Sequence, residues 1–135
     1  MWDRGYDQMI ATIKERFGIE LELYNTGGWC MVYEARLEGG AVIWISDYDA
    51  GVIPRDERLA LEGAGTSVGW NVSIYRADAE GYPDNAILAS AQHETALVAE
   101  LPGLIELALG SVPHNAQHHF AKGGAHTVTY GVMEF

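Results

Sequence analysis

The stretch "DYDAG" at residues 47–51 places two carboxylates one residue apart, directly after the apolar segment "AVIWIS". Asp47 and Asp49 have the alternate spacing of the oxygen ligands in a calcium-binding loop. Such a loop also requires glycine at its sixth position and glutamate at its twelfth, where this chain has Val52 and Arg58. The stretch therefore does not predict a calcium site. Aspartates that follow a strand have a simpler role, which is to accept hydrogen bonds from their own local backbone.

Aromatic residues near this acidic pair make the region a candidate contact site. Trp29 and Trp44 lie in the two segments that precede it, and Tyr48 lies between the two aspartates. Trp and Tyr are the residue types most often found at the energetic centre of protein interfaces. The predicted binding residues are therefore Asp47, Tyr48, Asp49, Trp29 and Trp44. Packing in the core remains the alternative for each aromatic residue.

Two histidines four residues apart raise the question of a metal. His114 and His118 lie in "PHNAQHH", and on a helix this spacing would let both imidazoles reach one ion. Pro113 and Asn115 disfavour a helix there, and no glutamate lies between the histidines as in a zinc protease motif. We therefore expect a His-rich loop with no metal and no cofactor, and keep His114 and His118 as the candidate ligands.

The motifs that would indicate catalysis are incomplete. Cys30 is the only cysteine, and its neighbours Trp29 and Met31 supply neither a histidine nor a helix N-terminus to lower the pKa of its thiol. The glycine doublets at 27–28 and 39–40 lack the phosphate-loop pattern and are typical of tight hairpin turns. The motifs favour a protein that is not an enzyme.

The net charge of the chain limits the classes of molecule that it can bind. Nineteen acidic and eight basic residues give the 135-residue chain a net charge of −11. Nucleic acid and anionic membranes are bound through Lys and Arg, so we expect no direct nucleic-acid partner and no membrane partner. The same negative charge favours binding to a protein with a basic surface. A contribution to solubility alone would also explain this charge. A single cysteine and the lack of a signal-peptide pattern favour a cytoplasmic location.

Hydrophobic periodicity predicts the order of elements. In chain order these are a helix over 3–17, strands over 18–25, 29–37, 41–46, 68–76 and 86–92, a helix over 96–110, and a possible last strand over 126–135. Residues 47–67 are predicted as a long loop with a short helical turn, and Pro102 either kinks the second helix or begins another. This order predicts the α+β class, with an antiparallel hairpin meander of about five to six strands covered on one face by the N-terminal and C-terminal helices. Residues 1–110 would form one domain, and residues 111–135 a His-rich loop with a terminal edge strand.

Three segments carry a resemblance to a known group. "YNTGG" ends one strand, a glycine turn follows, and "WISDYD" ends another strand before "GWNVSIYRADAEG". This arrangement resembles small uncharacterised accessory proteins of actinobacterial phages and prophages, over roughly residues 19–109. The resemblance implies a phage accessory protein that acts in bacterial cytoplasm. It supplies no activity and no binding residue.

Charge, motifs and resemblance together predict a non-enzymatic acidic module that occupies a basic surface of a host protein, as a nucleic-acid mimic or a regulator of a host factor. One alternative is a small-molecule or metal-binding protein, or a simple enzyme, with a pocket near Asp47 and Asp49. Another alternative is a structural homo-oligomer such as a homodimer, in which the strand over 126–135 pairs across subunits.

Overall fold

The structure, a computed structural model, describes residues 4–28 and 30–120, and the backbone of residues 127–132. Its helices and strands, in chain order, are α1 (Asp7–Phe17), β1 (Glu22–Gly27), β2 (Cys30–Leu37), β3 (Ala41–Ser46), α2 (Arg55–Gly63), β4 (Trp70–Ala77), β5 (Pro83–His93), α3 (Leu101–Ser111), β6 (Ala116–Phe120) and β7 (Thr127–Val132). Short 3-10 turns, Val98–Glu100 and Val112–His114, flank α3. The protein therefore belongs to the α+β class, as predicted.

The seven strands form one sheet in which neighbours in space are also neighbours in sequence, from β1 to β7. All adjacent strands are antiparallel except β5 and β6, which run parallel. The prediction of an antiparallel sheet of five to six strands was therefore only roughly correct. The parallel pair arises because α3 carries the chain back across the sheet between β5 and β6, and a parallel connection needs such a crossover.

The histidine-rich segment was predicted as a loop, and there the prediction was wrong for residues 116–120. These residues form β6, which pairs with β5 from Ser90 opposite Gln117 to His93 opposite Phe120. All five side chains of β6 are half-buried, so no alternation of apolar and polar residues marks it as a strand. Backbone pairing with both neighbours holds it in place. The predicted terminal strand is confirmed over Thr127–Val132, as β7 at the edge of the sheet; positions 126 and 133–135 lie outside the described residues.

The helices agree with the sequence pattern to different degrees. Helix α1 begins at Asp7 and ends before Gly18, whose positive φ of 71° lets its N–H close on the Lys14 carbonyl at 2.8 Å. The helical turn predicted in the long loop is a nine-residue helix, α2. Pro102 lies in the first turn of α3, so it begins a new helix, which was one of the two predicted alternatives.

The core lies on one face of the sheet. Ile43 and Ile45 of β3 and Val72 and Ile74 of β4 are fully buried there, and Ile13 of α1 joins the same cluster. Helix α3 adds a second set of buried residues to this cluster: Leu101, Leu104, Ile105 and Ala108. The N-terminal and C-terminal helices thus share one core with the sheet. Within the described residues, no helix is both long enough and apolar enough to cross a membrane.

We expect Gly69→Ala to destabilise the fold by about 3 kcal/mol, because it adds steric conflict to an unfavourable backbone conformation. Gly69 has a φ of +78°, and a Cβ there would lie 2.5 Å from the carbonyl oxygens of His93 and Glu94. Gly63→Ala is the matched control, since a Cβ at Gly63 in α2 meets no atom within 4 Å. Urea unfolding measures both free energies. Equal effects of the two substitutions would contradict this account.

Candidate functional site

Asp47, the first residue of the predicted acidic pair, is buried and engaged inside the fold. Its side chain is 4% exposed, and one carboxylate oxygen accepts a hydrogen bond from the guanidinium of Arg58 in α2, which is fully buried. The other oxygen accepts a hydrogen bond of 2.9 Å from the backbone N–H of Ile53. The Asp47 N–H donates to the Gly51 carbonyl at 2.7 Å. Asp47 therefore shapes the loop between β3 and α2, and we assign it a positioning role.

Arg58 is the centre of a buried polar network. Its Nε donates to the Tyr6 hydroxyl at 3.0 Å, and another guanidinium nitrogen donates to the Gly69 carbonyl at 2.9 Å. The guanidinium carbon lies 3.7 Å from the ring centroid of Trp70, within the range of a cation–π interaction. The Tyr6 hydroxyl in turn donates to the Ile53 carbonyl at 2.8 Å. In the sequence, Arg58 was notable only because it occupies the position where a calcium-binding loop would need glutamate. Its structural role was not predicted, because its partners are distant along the chain.

Burial changes the proton affinity of this network. Loss of hydration raises the pKa of the Asp47 carboxyl from 3.8 to about 6, although the Arg58 charge and the Ile53 N–H act in the opposite direction. The nearby carboxylates of Glu57 and Asp49 raise the pKa of Asp47 further. Burial likewise raises the pKa of the Tyr6 hydroxyl. Asp47 is thus a carboxyl whose ionised form is costly to keep in the folded protein.

Tyr48 and Asp49, unlike Asp47, border a cavity. The cavity has a volume of about 370 Å³ and is lined by Tyr48, Asp49, Glu94, Thr95 and residues 65–68. Asp49 is exposed, while Tyr48 and Glu94 are half-buried. Residues 65–68 include Thr66 and Ser67, so hydroxyl groups line the cavity together with two carboxylates. Its chemistry suits a positively charged or hydrogen-bonding group.

His119 of β6 extends this site. Its ring stacks on the ring of Tyr48, with centroids 5.6 Å apart and planes 11° apart. Its Nε2 lies 2.7 Å from the Tyr48 hydroxyl and 4.0 Å from a carboxylate oxygen of Glu94. The sequence did not single out His119, since only the pairing of β5 with β6 brings it beside the loop that follows β3.

The predicted tryptophans are not part of this cavity. Trp29 lies outside the described residues. Trp44 lies between Ile43 and Ile45 on β3 and therefore points to the face opposite the core. Its indole N–H donates to the Glu34 carboxylate at 2.6 Å, and its ring lies 5.6 Å from that of Tyr75. The structure thus separates Trp44 from Tyr48 and Asp49.

The candidate metal ligands have different surroundings. His114 is exposed in the 3-10 turn after α3, whereas His118 is half-buried in β6. Ser111 donates its hydroxyl hydrogen to the Leu107 carbonyl, so the His118 Nε2, 3.0 Å away from that hydroxyl, is the donor to Ser111. Among the described residues, no three His, Cys, Asp or Glu side chains converge in a way that would hold a metal ion.

Removing the buried guanidinium of Arg58 should destabilise the folded protein. We expect Arg58→Met to lower the free energy of unfolding by about 3–5 kcal/mol, because it leaves the Asp47 carboxylate buried without a counter-charge. Arg55→Met removes an exposed cation from the same helix and should change it by less than about 0.5 kcal/mol. Chemical unfolding of both variants at neutral pH is the measurement. Similar values for the two would show that the buried pair does not stabilise the fold.

The pKa of Asp47 gives a second prediction. A folded-state pKa above the unfolded value means that the folded protein binds an extra proton between about pH 4 and pH 6, so this carboxyl contributes more stability as the pH falls through 6. Relative to Asp47→Asn, the wild type should gain about 1–3 kcal/mol between about pH 7.5 and pH 4.5. Glu80→Gln, at an exposed position in the turn between β4 and β5, should follow the wild type. A relative loss of stability on acidification would mean that attraction by Arg58 outweighs burial.

Comparison with known proteins gives no match from which a function for this site could be inferred. The chain matches no protein-family model, no curated protein and no solved structure. A function for this site therefore has to be argued from its own residues and charges.

Proposed function

We propose that this protein is a non-enzymatic acidic module that binds a basic surface of another protein. The observation that supports the proposal is that most of the Lys and Arg side chains of this protein are paired with its own carboxylates. Seven of the eight Lys and Arg residues lie in the described part of the chain, since Lys122 does not. Five of those seven form ion pairs with carboxylates of the same chain: Lys14, Arg16, Arg36, Arg58 and Arg76.

Ion pairing therefore leaves a surface excess of carboxylates. The exposed carboxylates that form no ion pair within the described residues are Asp7, Glu15, Glu22, Glu38, Asp49, Asp56, Glu57, Asp78, Glu80 and Glu100. A field of one sign draws oppositely charged proteins together and rejects nucleic acid. This distribution supports a partner that presents Lys and Arg.

One region places three of these exposed carboxylates near a cavity that the half-buried Glu94 also lines. Asp49 and Glu94 line the polar cavity, and Asp56 and Glu57 lie in the first turn of α2. Glu57 and Asp49 both act on the pKa of Asp47, so these two carboxylates lie near the C-terminal end of β3. Asp56 is next to Glu57 in the sequence, and Glu94 lines the same cavity as Asp49. We call Asp49, Asp56, Glu57 and Glu94 the acidic end. Its cavity offers hydroxyls and carboxylates to a cationic side chain of the partner.

The class of partner follows from the same charge and from the phage-like pattern. Proteins bind nucleic acid through surfaces rich in Lys and Arg, and an acidic protein that covers such a surface on a host protein would act as a nucleic-acid mimic or a regulator. The resemblance to phage accessory proteins supports a bacterial host factor in the cytoplasm as the target.

Reversal of charge at the acidic end tests the proposal. A double variant, Asp49→Lys with Glu57→Lys, should weaken capture of the partner from actinobacterial lysate by at least about tenfold, and rising salt should weaken wild-type capture. Asp7→Lys with Glu15→Lys makes the same change in net charge on α1, and should have a smaller effect. Captured proteins are identified and quantified by mass spectrometry. Failure of the wild type to retain any basic protein at low salt would overturn the proposal.

The cavity of about 370 Å³, which Asp49 and Glu94 line, favours a second candidate function, the binding of a small organic cation. Thermal unfolding with spermidine would show a rise in Tm that Asp49→Asn abolishes and Asp56→Asn preserves. An unchanged Tm would count against this candidate. A homo-oligomer joined through β7 also stays a prediction, since β7 is the last strand in the sheet order, and light scattering measures it directly.

A further inference from the structure

A second surface lies at the other end of β3, beside the turn between β2 and β3. There the C-terminal ends of α1 and α3 approach the sheet and leave a cavity of about 550 Å³. Its apolar lining includes four half-buried side chains, which are Phe17, Leu37, Leu109 and Val112. A volume between about 300 and 1,000 Å³ with an apolar lining is typical of a binding pocket.

This apolar cavity continues into a polar one. The neighbouring cavity, of about 580 Å³, shares Gly18 and Arg36 with it. We call the two cavities together the terminal groove. Its polar part is lined by Lys14 and by three carboxylates, those of Glu20, Glu22 and Glu34.

The charges of the groove do not balance. Both of its cations are already paired, because Lys14 lies 2.7 Å from Glu20 and Arg36 lies 2.7 Å from Glu34. Glu22, in the polar part, and Glu38, at the apolar part, are exposed and have no ion pair within the described residues. Two negative charges therefore remain unmatched along the groove.

The helix ends add to this negative potential. The C-terminal carbonyls of a helix carry a partial negative charge, which basic residues in the last turn usually offset. Helix α3 has no basic residue in its last turn, and Val112, which caps it, lines the groove. The basic residues in the last turn of α1, Lys14 and Arg16, are both paired with carboxylates. The apolar cavity is thus surrounded by groups that favour a cation at its rim.

We propose that the terminal groove docks a segment of the partner protein in which a large apolar side chain is flanked by Lys or Arg. This inference rests on the proposed function, since it assumes a basic protein partner. The apolar side chain would fill the cavity between α1 and α3, and its basic neighbours would meet Glu22 and Glu38. Buried apolar anchors of this kind supply much of the affinity of protein interfaces.

The charges of the terminal groove favour this occupant over others. An anionic amphiphile such as a fatty acid would be repelled by the two unmatched carboxylates and by the end of α3. A neutral apolar compound would leave both carboxylates without a counter-charge. A second copy of this chain would bring like charges together, since it carries the same groove. A basic and apolar segment satisfies both halves of the groove at once.

Selection from a random library of short displayed peptides tests the inference. The wild-type protein should enrich peptides with an aromatic or large aliphatic residue next to Lys or Arg. Val112→Lys should raise their Kd by about tenfold or more, and Glu38→Lys, on an exposed turn that tolerates the change, by about threefold or more. Leu97→Lys and Glu80→Lys make the same chemical changes at exposed sites outside the groove, and should stay within about twofold.

The outcomes separate this inference from the proposed function. Enriched peptides that are basic, lack an apolar residue and bind both groove variants as tightly as the wild type would overturn the docking groove and leave the acidic binding module standing. A library that yields no basic peptides, or yields acidic ones, would overturn both. Loss of binding in Val112→Lys and Glu38→Lys, but not in their controls, would establish the groove.

Discussion

The buried ion pair between Asp47 and Arg58 is the interaction on which the arrangement of β3, α2 and the acidic end depends. A guanidinium that leaves water loses several kcal/mol of hydration, so it is stable inside a protein only when its donors are matched. Arg58 meets a carboxylate, a hydroxyl, a carbonyl and the face of an indole ring. Because these four partners come from three separate parts of the chain, at Tyr6, at Asp47 and at the adjacent Gly69 and Trp70, the network forms only when α2 has docked. Arg58 therefore links α2 to the segment before α1, to the end of β3 and to the start of β4.

The same pair determines what the loop after β3 can present. Asp47 faces inward and closes the loop through its own N–H and through Ile53, so Tyr48 and Asp49 are left to line the cavity. The stacking of Tyr48 on His119 joins this loop to β6. One aspartate of the sequence pair thus supports the structure, and the other is exposed beside the cavity. Their spacing alone did not distinguish these roles.

Hydrophobic pattern in the sequence predicted much of the fold because burial on one face leaves a periodic pattern, and burial on both faces leaves an apolar run. Helix α1 and strand β2 have a periodic pattern, strand β3 is an apolar run that is buried almost throughout, and glycine and proline marked several element ends. Strand β6 has none, because "AQHHF" is half-buried throughout and is held by backbone pairing. Helix α2 was underestimated since its one fully buried side chain is Arg58, which hydropathy places at the surface. The parallel pair of strands depended on where α3 packs, and no local pattern encodes that.

By itself, the sequence determined the net charge of −11, the α+β class and the turns at its glycine doublets, since these follow from composition and from neighbouring residues. Only the tertiary structure decided which charges form ion pairs within the chain and which remain exposed without one. Lys14 and Glu20 are near in sequence, but Arg58 and Asp47 are eleven residues apart and Arg16 and Glu106 are ninety. Electrostatic attraction depends on distance in space and on burial, and neither quantity can be read from separation along the chain.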